Sequence, residues 1–229
     1  MTGTKVVKLR LEDDGKDLPK LKGSVIDEAV ELFEKIDWEN NLVGYHEKVL
    51  KKTRRLDANS AAVQGIVYQL EDNFAKGDMQ DKFYFKRMGA FLTGLIENST
   101  SEELEFETRT PLDYIGYLMN AEKTITVNGA AGDMTGYMMR RGLIRVKGDS
   151  GFWTGCQLAG GKVEVEGSTG EYTGQQMETG EITVKKDAGR KTGLRMKGGR
   201  IEVGGSIGDI GPVIKGGEIY NKGERVWPK

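Results

Sequence analysis

The stretch from Gly170 to Val184 reads GEYTGQQMETGEITV, and it contains the features that determine the fold. It combines glycines, a threonine before the second glycine, one long apolar residue, Met177, and an apolar pair, Ile182 and Val184. It holds no cluster of metal-ligating residues and no arrangement of nucleophile and base. A stretch so rich in glycine and so poor in reactive groups indicates an architectural role.

The same combination recurs every 19 residues through the C-terminal half. Glycine occupies three columns at this spacing: Gly132, Gly151, Gly170, Gly189, Gly208; Gly136, Gly155, Gly174, Gly193; and Gly142, Gly161, Gly180, Gly199. Positions 120–229 hold 24 of the 33 glycines, so the composition changes near the middle of the chain. Because several independent columns share one period, the sequence predicts a repeat fold.

Apolar residues follow the same period. Three columns are expected to point inward: Ile125, Ile144, Val163, Ile182, Ile201; Val127, Val146, Val165, Val184, Val203; and Met139, Leu158, Met177, Met196, Ile214. The alternation of the Ile-x-Val pair is typical of a short strand, and too few residues separate the strands for helical crossovers. We therefore predict a right-handed parallel β-helix whose coils stack at about 4.8 Å. Its interior would be filled by side chains and leave no substrate cavity.

The pattern G-x-x-x-G-x-x-M-x-x-G-x-I-x-V, carried by residues 125–220, resembles the GXGXG-type repeat. That repeat forms the C-terminal β-helix of the glutamate synthase large subunit and most of the β-helical subunit of formylmethanofuran dehydrogenase. In both families it resembles a structural element that positions catalytic domains or subunits, and its motif binds no flavin, iron–sulfur cluster or molybdopterin. The resemblance therefore implies a scaffold in an oxidoreductase complex, with no catalytic residue, metal ligand or cofactor of its own.

The N-terminal half departs from this pattern. Residues 6–11 predict a short strand, and apolar stripes predict four helices, the first capped by Ser24 and the others at roughly 41–55, 59–76 and 79–97. Residues 98–103 (NSTSEE) are interpreted as a linker. The predicted fold is α+β: a mainly helical domain with one short N-terminal strand at 1–102, then a glycine-rich right-handed β-helix at 103–229 with 19-residue coils. The helical half is expected to cover the first coil and the tail the last.

Composition excludes several classes of function. Basic and acidic residues number 34 and 35, which gives no general attraction to nucleic acid. Cys156 is the only cysteine and His46 the only histidine, which excludes an internal disulfide, cysteine-based metal sites and most histidine catalysis. Neither a signal-peptide core nor an apolar run of membrane-spanning length occurs, so we expect a cytoplasmic protein without membrane partners. The basic run at 48–55 is interpreted as a solvated helix face.

The candidate functional residues are aromatic. Phe152 and Trp153 fall at one corner of a predicted coil, and Tyr172 lies in the Trp153 column one coil later. Exposed aromatic side chains at such a corner would form a docking patch for a partner protein. Alternatively, the same side chains would pack against the helical half of the chain.

Three functions fit these observations. The favoured hypothesis is a non-catalytic scaffold that docks redox enzyme subunits or a second copy of itself. The alternative is a stand-alone ligand-binding or regulatory protein with a cleft between the helical domain and the β-helix. A surface enzyme using Glu164 and Glu166 fits less well, because basic residues occupy neighbouring coil positions and would pair with these carboxylates.

Overall fold

A computed structural model of the chain describes residues 25–36, 41–76 and 83–228. The predicted strand at 6–11 and the predicted cap at Ser24 lie outside these ranges. Within them the helices are α1 (Val25–Lys35), α2 (Leu42–Thr53), α3 (Ser60–Ala75) and α4 (Tyr84–Asn98). The strands are β1 (Glu103–Glu107), β2 (Thr124–Asn128), β3 (Leu143–Val146), β4 (Ala159–Val165), β5 (Thr179–Val184), β6 (Arg200–Val203), β7 (Glu218–Asn221) and β8 (Glu224–Trp227). The predicted order, helices and then regularly spaced strands, is confirmed.

The strands form a parallel β-solenoid. Strands β1 to β7 lie side by side in chain order, and β8 pairs with β7 in the antiparallel direction. The register follows the sequence period, since Ile125 lies opposite Ile144 and Val146 lies opposite Val165. A second face is joined by isolated parallel bridges between successive coils: Ala131, Ser150, Thr169, Ala188 and Ile207. The predicted stacking of residues about 19 apart is therefore confirmed.

The axis of the solenoid is occupied by packed side chains. Of the fifteen residues predicted to point inward, fourteen are fully buried, and Ile214 in the last coil is partly exposed. The stack begins one coil before the regular period, because Leu104 and Phe106 of β1 are buried opposite Ile125 and Val127. Each fully buried side chain of this size contributes roughly 1.5–3 kcal/mol of transfer free energy, which favours the stacked coils.

The corners of the coils adopt left-handed backbone conformations. We expected glycine to supply the positive φ angles, since it does so without steric cost. Gly174 meets this expectation with φ +67°, and a Cβ atom there would lie 2.4 Å from Ile201 Cδ1. Trp153 and Tyr172, however, also have positive φ, at 58° and 65°. Left-handed backbone is therefore not confined to the glycine columns. In the Trp153 column, hydrogen bonds to the next coil, such as Trp153 N to Glu171 O at 2.9 Å, offset the steric cost.

Polar side chains support the corners in two further ways. The threonine that precedes the second glycine of each coil donates to a nearby backbone carbonyl, as Thr154 Oγ1 does to Gly151 O at 3.0 Å. A column not used in the sequence analysis joins successive coils: Asp149, Ser168, Asp187 and Ser206. The carboxylate of Asp149 accepts the Ser168 N–H at 2.7 Å, and that of Asp187 accepts the Ser206 N–H at 2.7 Å. The 19-residue spacing of these residues was a signal that could have revealed them.

Side chains of α3 occupy the outer edge of β1. Gln64 bonds to Glu107 twice, because its Nε2 donates to the carbonyl oxygen at 2.9 Å and its Oε1 accepts from the amide at 2.7 Å. Ser60 Oγ accepts the amide of Glu105 at 3.1 Å. The helix thus supplies the hydrogen bonds that a further strand would make, and an unpaired edge would attract other chains.

The same capping continues beyond β1. The buried Glu71 accepts the amides of Arg109 and Thr110 through Oε1, at 2.8 and 3.0 Å. In α4, Thr93 Oγ1 accepts the amide of Gly116 at 2.8 Å. The predicted covering of the first coil by the helical half is confirmed. The division into domains at 1–102 and 103–229 stays a prediction, because these bonds join the two halves.

The last coil is covered over one face only. Lys222 and Gly223, with φ of 52° and 82°, turn the chain so that β8 runs back along β7. Residues 204–217 of the same coil have no further strand beyond them within the described part of the chain. We call residues 204–217 the open end. The predicted covering of the last coil by the tail therefore holds for the β7 face alone.

Candidate functional site

The three predicted aromatic residues lie together at one corner of the solenoid. The rings of Trp153 and Tyr172 stack across successive coils, with centroids 5.5 Å apart and planes at 12°. Phe152 lies 5.8 Å from Trp153 and is 45% exposed. We call Phe152, Trp153 and Tyr172 the aromatic corner. The predicted stacking of Tyr172 in the Trp153 column is confirmed, and its docking role stays a prediction.

Positive charge borders the aromatic corner. Lys191 Nζ donates to the Tyr172 hydroxyl at 3.0 Å and lies 4.9 Å from the centroid of its ring. Arg190 pairs with Glu171 through two N–H groups, at 2.8 and 2.7 Å. Within the described ranges Lys191 Nζ forms no ion pair, and the carboxylate of Asp209 in the next coil accepts the Lys191 backbone amide, so the border carries both a cation and a carboxylate. A partner that covers the corner would therefore meet apolar rings next to a positive charge.

The helical half contacts a different group of aromatic rings. His46 of α2 lies 5.7 Å from Tyr117, edge to face, and Tyr117 stacks on Tyr137 at 5.6 Å. Among the described residues, the ring contacts of the aromatic corner are with one another and with Lys191, and none is with a helix. The exposure of Phe152 and the absence of such a contact favour the docking interpretation over packing on the helical half.

The carboxylates on the strand face are paired with bases. Glu164 lies 3.0 Å from Arg145 and 2.9 Å from Lys162, and Glu166 lies 2.8 Å from Lys147. Partial burial alone would raise the pKa of Glu164, but the hydrogen bonds from Lys162 and Arg145 outweigh it and lower the pKa. The hydrogen bond from Lys147 lowers the pKa of Glu166. A general acid needs a raised pKa. These ion pairs therefore help to align neighbouring coils, and they do not provide a catalytic acid.

Two other candidate reactive groups lack the environment for catalysis. Burial raises the pKa of Cys156 to about 11, so the thiol is protonated near neutral pH and is a poor nucleophile. The basic run at 48–55 exposes Lys51, Lys52, Arg54 and Arg55 to solvent, as predicted. Across the described residues, no group of three or more His, Cys, Asp or Glu side chains is placed to hold a metal ion.

A cleft separates α2 from the corner of the first coils and encloses about 240 Å³. On its wall His46 Nε2 lies 3.0 Å from Glu97 Oε2, and both side chains are buried. The other oxygen of Glu97 accepts the amide of Asn120, which ties α4 to the solenoid. Arg140 lies at the same cleft and is exposed. Sequence reasoning noted His46 only as the single histidine and missed this pair, because Glu97 belongs to another helix.

Comparison with known proteins identifies no relative, so the structural geometry alone supports the assignment of the fold and the site. No protein-family model matches the chain, and a search of curated protein sequences finds no match. In the described part of the chain, no helix has both the length and the apolar character needed to cross a membrane.

Proposed function

We propose that this protein is a non-catalytic assembly scaffold that docks a larger partner through the aromatic corner. The observation that carries the proposal is the exposed ring of Phe152 beside the partly exposed, stacked pair of Trp153 and Tyr172, on a solenoid whose axis is filled. Aromatic side chains are enriched among residues that dominate binding energy at interfaces, and a rigid support reduces the entropy lost on binding. The resemblance to the β-helical subunit of formylmethanofuran dehydrogenase supports redox enzyme subunits as the partner class.

The chemistry of the corner specifies the partner surface. Phe152 offers an exposed apolar ring, and the stacked pair of Trp153 and Tyr172 beside it is partly exposed. Lys191 adds a positive charge at the border. The matching surface would carry an apolar pocket with an acidic rim, since such charge complementarity raises the association rate and excludes wrong partners.

The experiment is affinity capture of the tagged full chain from an extract of its native cells. We expect larger subunits that carry metal or flavin absorbance to be captured by the wild-type protein and lost with Trp153→Gly. Glycine adopts the left-handed backbone of this position without cost, so the variant removes the ring and leaves the coil intact.

Gln176→Gly is the matched control, because Gln176 also has a positive φ, 55°, in the coil of Tyr172 and lies outside the aromatic corner. It should capture the same subunits as the wild type. Elution of the wild-type protein without a partner, or equal capture by the Trp153 and Gln176 variants, would contradict the proposal. Captured proteins without a redox cofactor would contradict the partner class.

The cleft between α2 and the solenoid supports a second candidate function, the binding of a small ligand. Arg140 provides a cation, Glu47 and Glu97 provide carboxylates, and Leu50 and Leu118 provide apolar walls. These features suit a small aliphatic amino acid, whose carboxylate would meet Arg140 and whose ammonium group would meet Glu47. Thermal-shift screening of such amino acids should raise the melting temperature of the wild type and of Arg141→Ser, whose residue lies outside the cleft, but not of Arg140→Ser. A flat response across the amino acids would contradict this candidate.

A further inference from the structure

The open end interrupts the hydrogen bonding that joins all earlier coils. Ala188 N donates to Ser206 O at 2.9 Å, and Arg195 N donates to Pro212 O at 3.1 Å. The counterparts of these donors in the last coil are Ile207 and Val213. Within the described residues neither of their amides has a backbone acceptor. An edge of this kind is a template for pairing with another chain.

Apolar side chains surround these unpaired amides. Val213 is 61% exposed, the largest exposed fraction among the large apolar side chains described, and Ile207, Ile210 and Ile214 beside it are only partly buried. Val213 also has a φ of +64°, whereas Arg195 holds the same place in the preceding coil with an unbranched side chain. A β-branched residue in the left-handed region is an outlier that costs stability. In the isolated chain, no burial of the exposed Val213 side chain offsets this backbone strain. Burial of Val213 under a partner would supply the compensating free energy.

The charges of this segment are self-complementary. The stretch from Asp209 to Lys215 reads DIGPVIK, and both charged residues lie three positions from Pro212. A two-fold axis through Pro212 would place Asp209 of one copy opposite Lys215 of the other. It would also place Ile210 opposite Ile214. One carboxylate oxygen of Asp209 accepts the backbone amide of Lys191, and its other oxygen has no hydrogen-bond partner among the described residues. Lys215 forms no ion pair within those residues, so its ammonium group is available to a partner.

We propose that a second copy of this chain docks on the open end, tail to tail, and forms a closed two-fold dimer. A two-fold interface uses the same patch on both copies, as the palindromic charges of Asp209 and Lys215 require. Growth into longer assemblies is prevented, because Gln64, Glu71 and other helix side chains already occupy the opposite end of the solenoid. The proposal does not depend on the aromatic corner, which lies on the side of the solenoid.

The test is sedimentation velocity of the full chain across a wide range of protein concentrations. We expect a concentration-dependent monomer–dimer equilibrium with no larger species. Lys215→Glu would place two acidic groups at each of the two symmetric contacts, and should raise the dissociation constant about tenfold or more. Val213→Asn should have a similar effect, and asparagine tolerates the left-handed conformation, so the coil itself should be retained.

Two controls separate the interface from general charge effects. Lys186→Glu makes the same charge change at an exposed site on a middle coil and should leave the dissociation constant unchanged. Lys215→Arg keeps the cation and should retain the dimer. A protein that stays monomeric at every concentration, or that forms assemblies longer than dimers, overturns the proposal. A dimer that tolerates both Lys215→Glu and Val213→Asn overturns it as well, and circular dichroism of each variant confirms that the fold is intact.

Discussion

The two ends of the solenoid meet the same physical problem in different ways. At the first coil, Gln64 and Glu71 of α3 supply side-chain hydrogen bonds to an edge that has no strand beyond it among residues 25–36, 41–76 and 83–228. At the last coil, β8 covers the face of β7, and the amides of Ile207 and Val213 stay without backbone acceptors in the described residues. To be complete, the end of a solenoid therefore needs hydrogen-bond partners for its backbone groups as well as a cover for its apolar side chains.

This difference also separates the roles of the two halves. The helical half is a cap, because its side chains make the hydrogen bonds to β1 that a preceding coil would make. The open end keeps both apolar side chains and unpaired amides, which is the chemistry of an interface. If the first end is complete and the second is not, removing a contact at the first end should destabilise the fold, whereas a change at the second should leave the monomer almost unaffected.

Glu71→Ala should lower the free energy of unfolding by about 2–4 kcal/mol, because it removes a buried acceptor that serves two partly buried amides, those of Arg109 and Thr110. Urea denaturation followed by circular dichroism measures this change. The neighbouring Asp72→Ala is the control, since its ion pair with Arg109 is largely exposed and contributes about 0–1 kcal/mol. Equal effects of the two variants would show that the cap at β1 is not energetically important.

Gly174→Ala should cost about 1–3 kcal/mol, because a methyl group would be forced against Ile201 in a left-handed backbone. Gly223→Ala is the counterpart near the open end. Its φ is 82°, and a Cβ there would meet nothing within 4 Å, so only the backbone strain of about 1 kcal/mol applies. Thermal unfolding at matched concentrations compares the two. A larger loss at Gly223 would contradict the view that the inner coils are the tightly packed part.

The capping carboxylate should also give a pH dependence. Burial raises the pKa of Glu71 above its ordinary value of 4.5, and hydrogen bonds from Thr110 and Arg109 oppose that shift only in part. As pH rises through this region the unfolded chain releases its proton before the folded chain does, so the contribution of Glu71 to stability is lost with increasing pH. Glu71→Gln removes this loss. Its stability relative to wild type should therefore rise as pH increases above the ordinary pKa of 4.5 and level off once the folded carboxyl has ionised, and parallel curves would contradict the assignment.

Val213→Asn should have the smallest effect on the monomer. At concentrations below dimer formation, we expect its free energy of unfolding to change by no more than about 1 kcal/mol and to increase, because asparagine fits the left-handed backbone better than valine. Urea denaturation at low concentration measures this. A marked destabilisation of the monomer would mean that Val213 packs within its own chain and that the open end is already complete.

The sequence period predicted the repeated part of the fold well. Because Val146 and Val165 occupy one column, their stacking followed from spacing alone. The same reasoning placed Trp153 and Tyr172 together. It could not reveal Gln64 or Glu71 as capping residues, because they belong to a helix without a repeat and act on backbone groups distant in sequence. The reversal of β8 at Lys222 and Gly223 had no counterpart in the period either.

The pairing of His46 with Glu97 was missed for a similar reason. Two helices with independent apolar stripes give no indication of which polar residues meet between them. The open end was missed because the covering tail was assumed to span the whole coil, whereas a single turn at Lys222 and Gly223 confines β8 to one face. Contacts between unlike elements, rather than between repeats, therefore set the limit of what the sequence predicted.

The uniform stacking of the inner coils makes the molecule a rod of adjustable length. Both ends are built by segments outside the repeat. By contrast, the Ile-x-Val segments of β3, β4 and β5 pair with one another at a constant offset of 19 residues. Duplicating one 19-residue unit between them would extend the rod by about 4.8 Å and leave both ends unaltered. Gain or loss of whole 19-residue units during evolution would thus change the distance between partners bound at the two ends, without altering either binding surface.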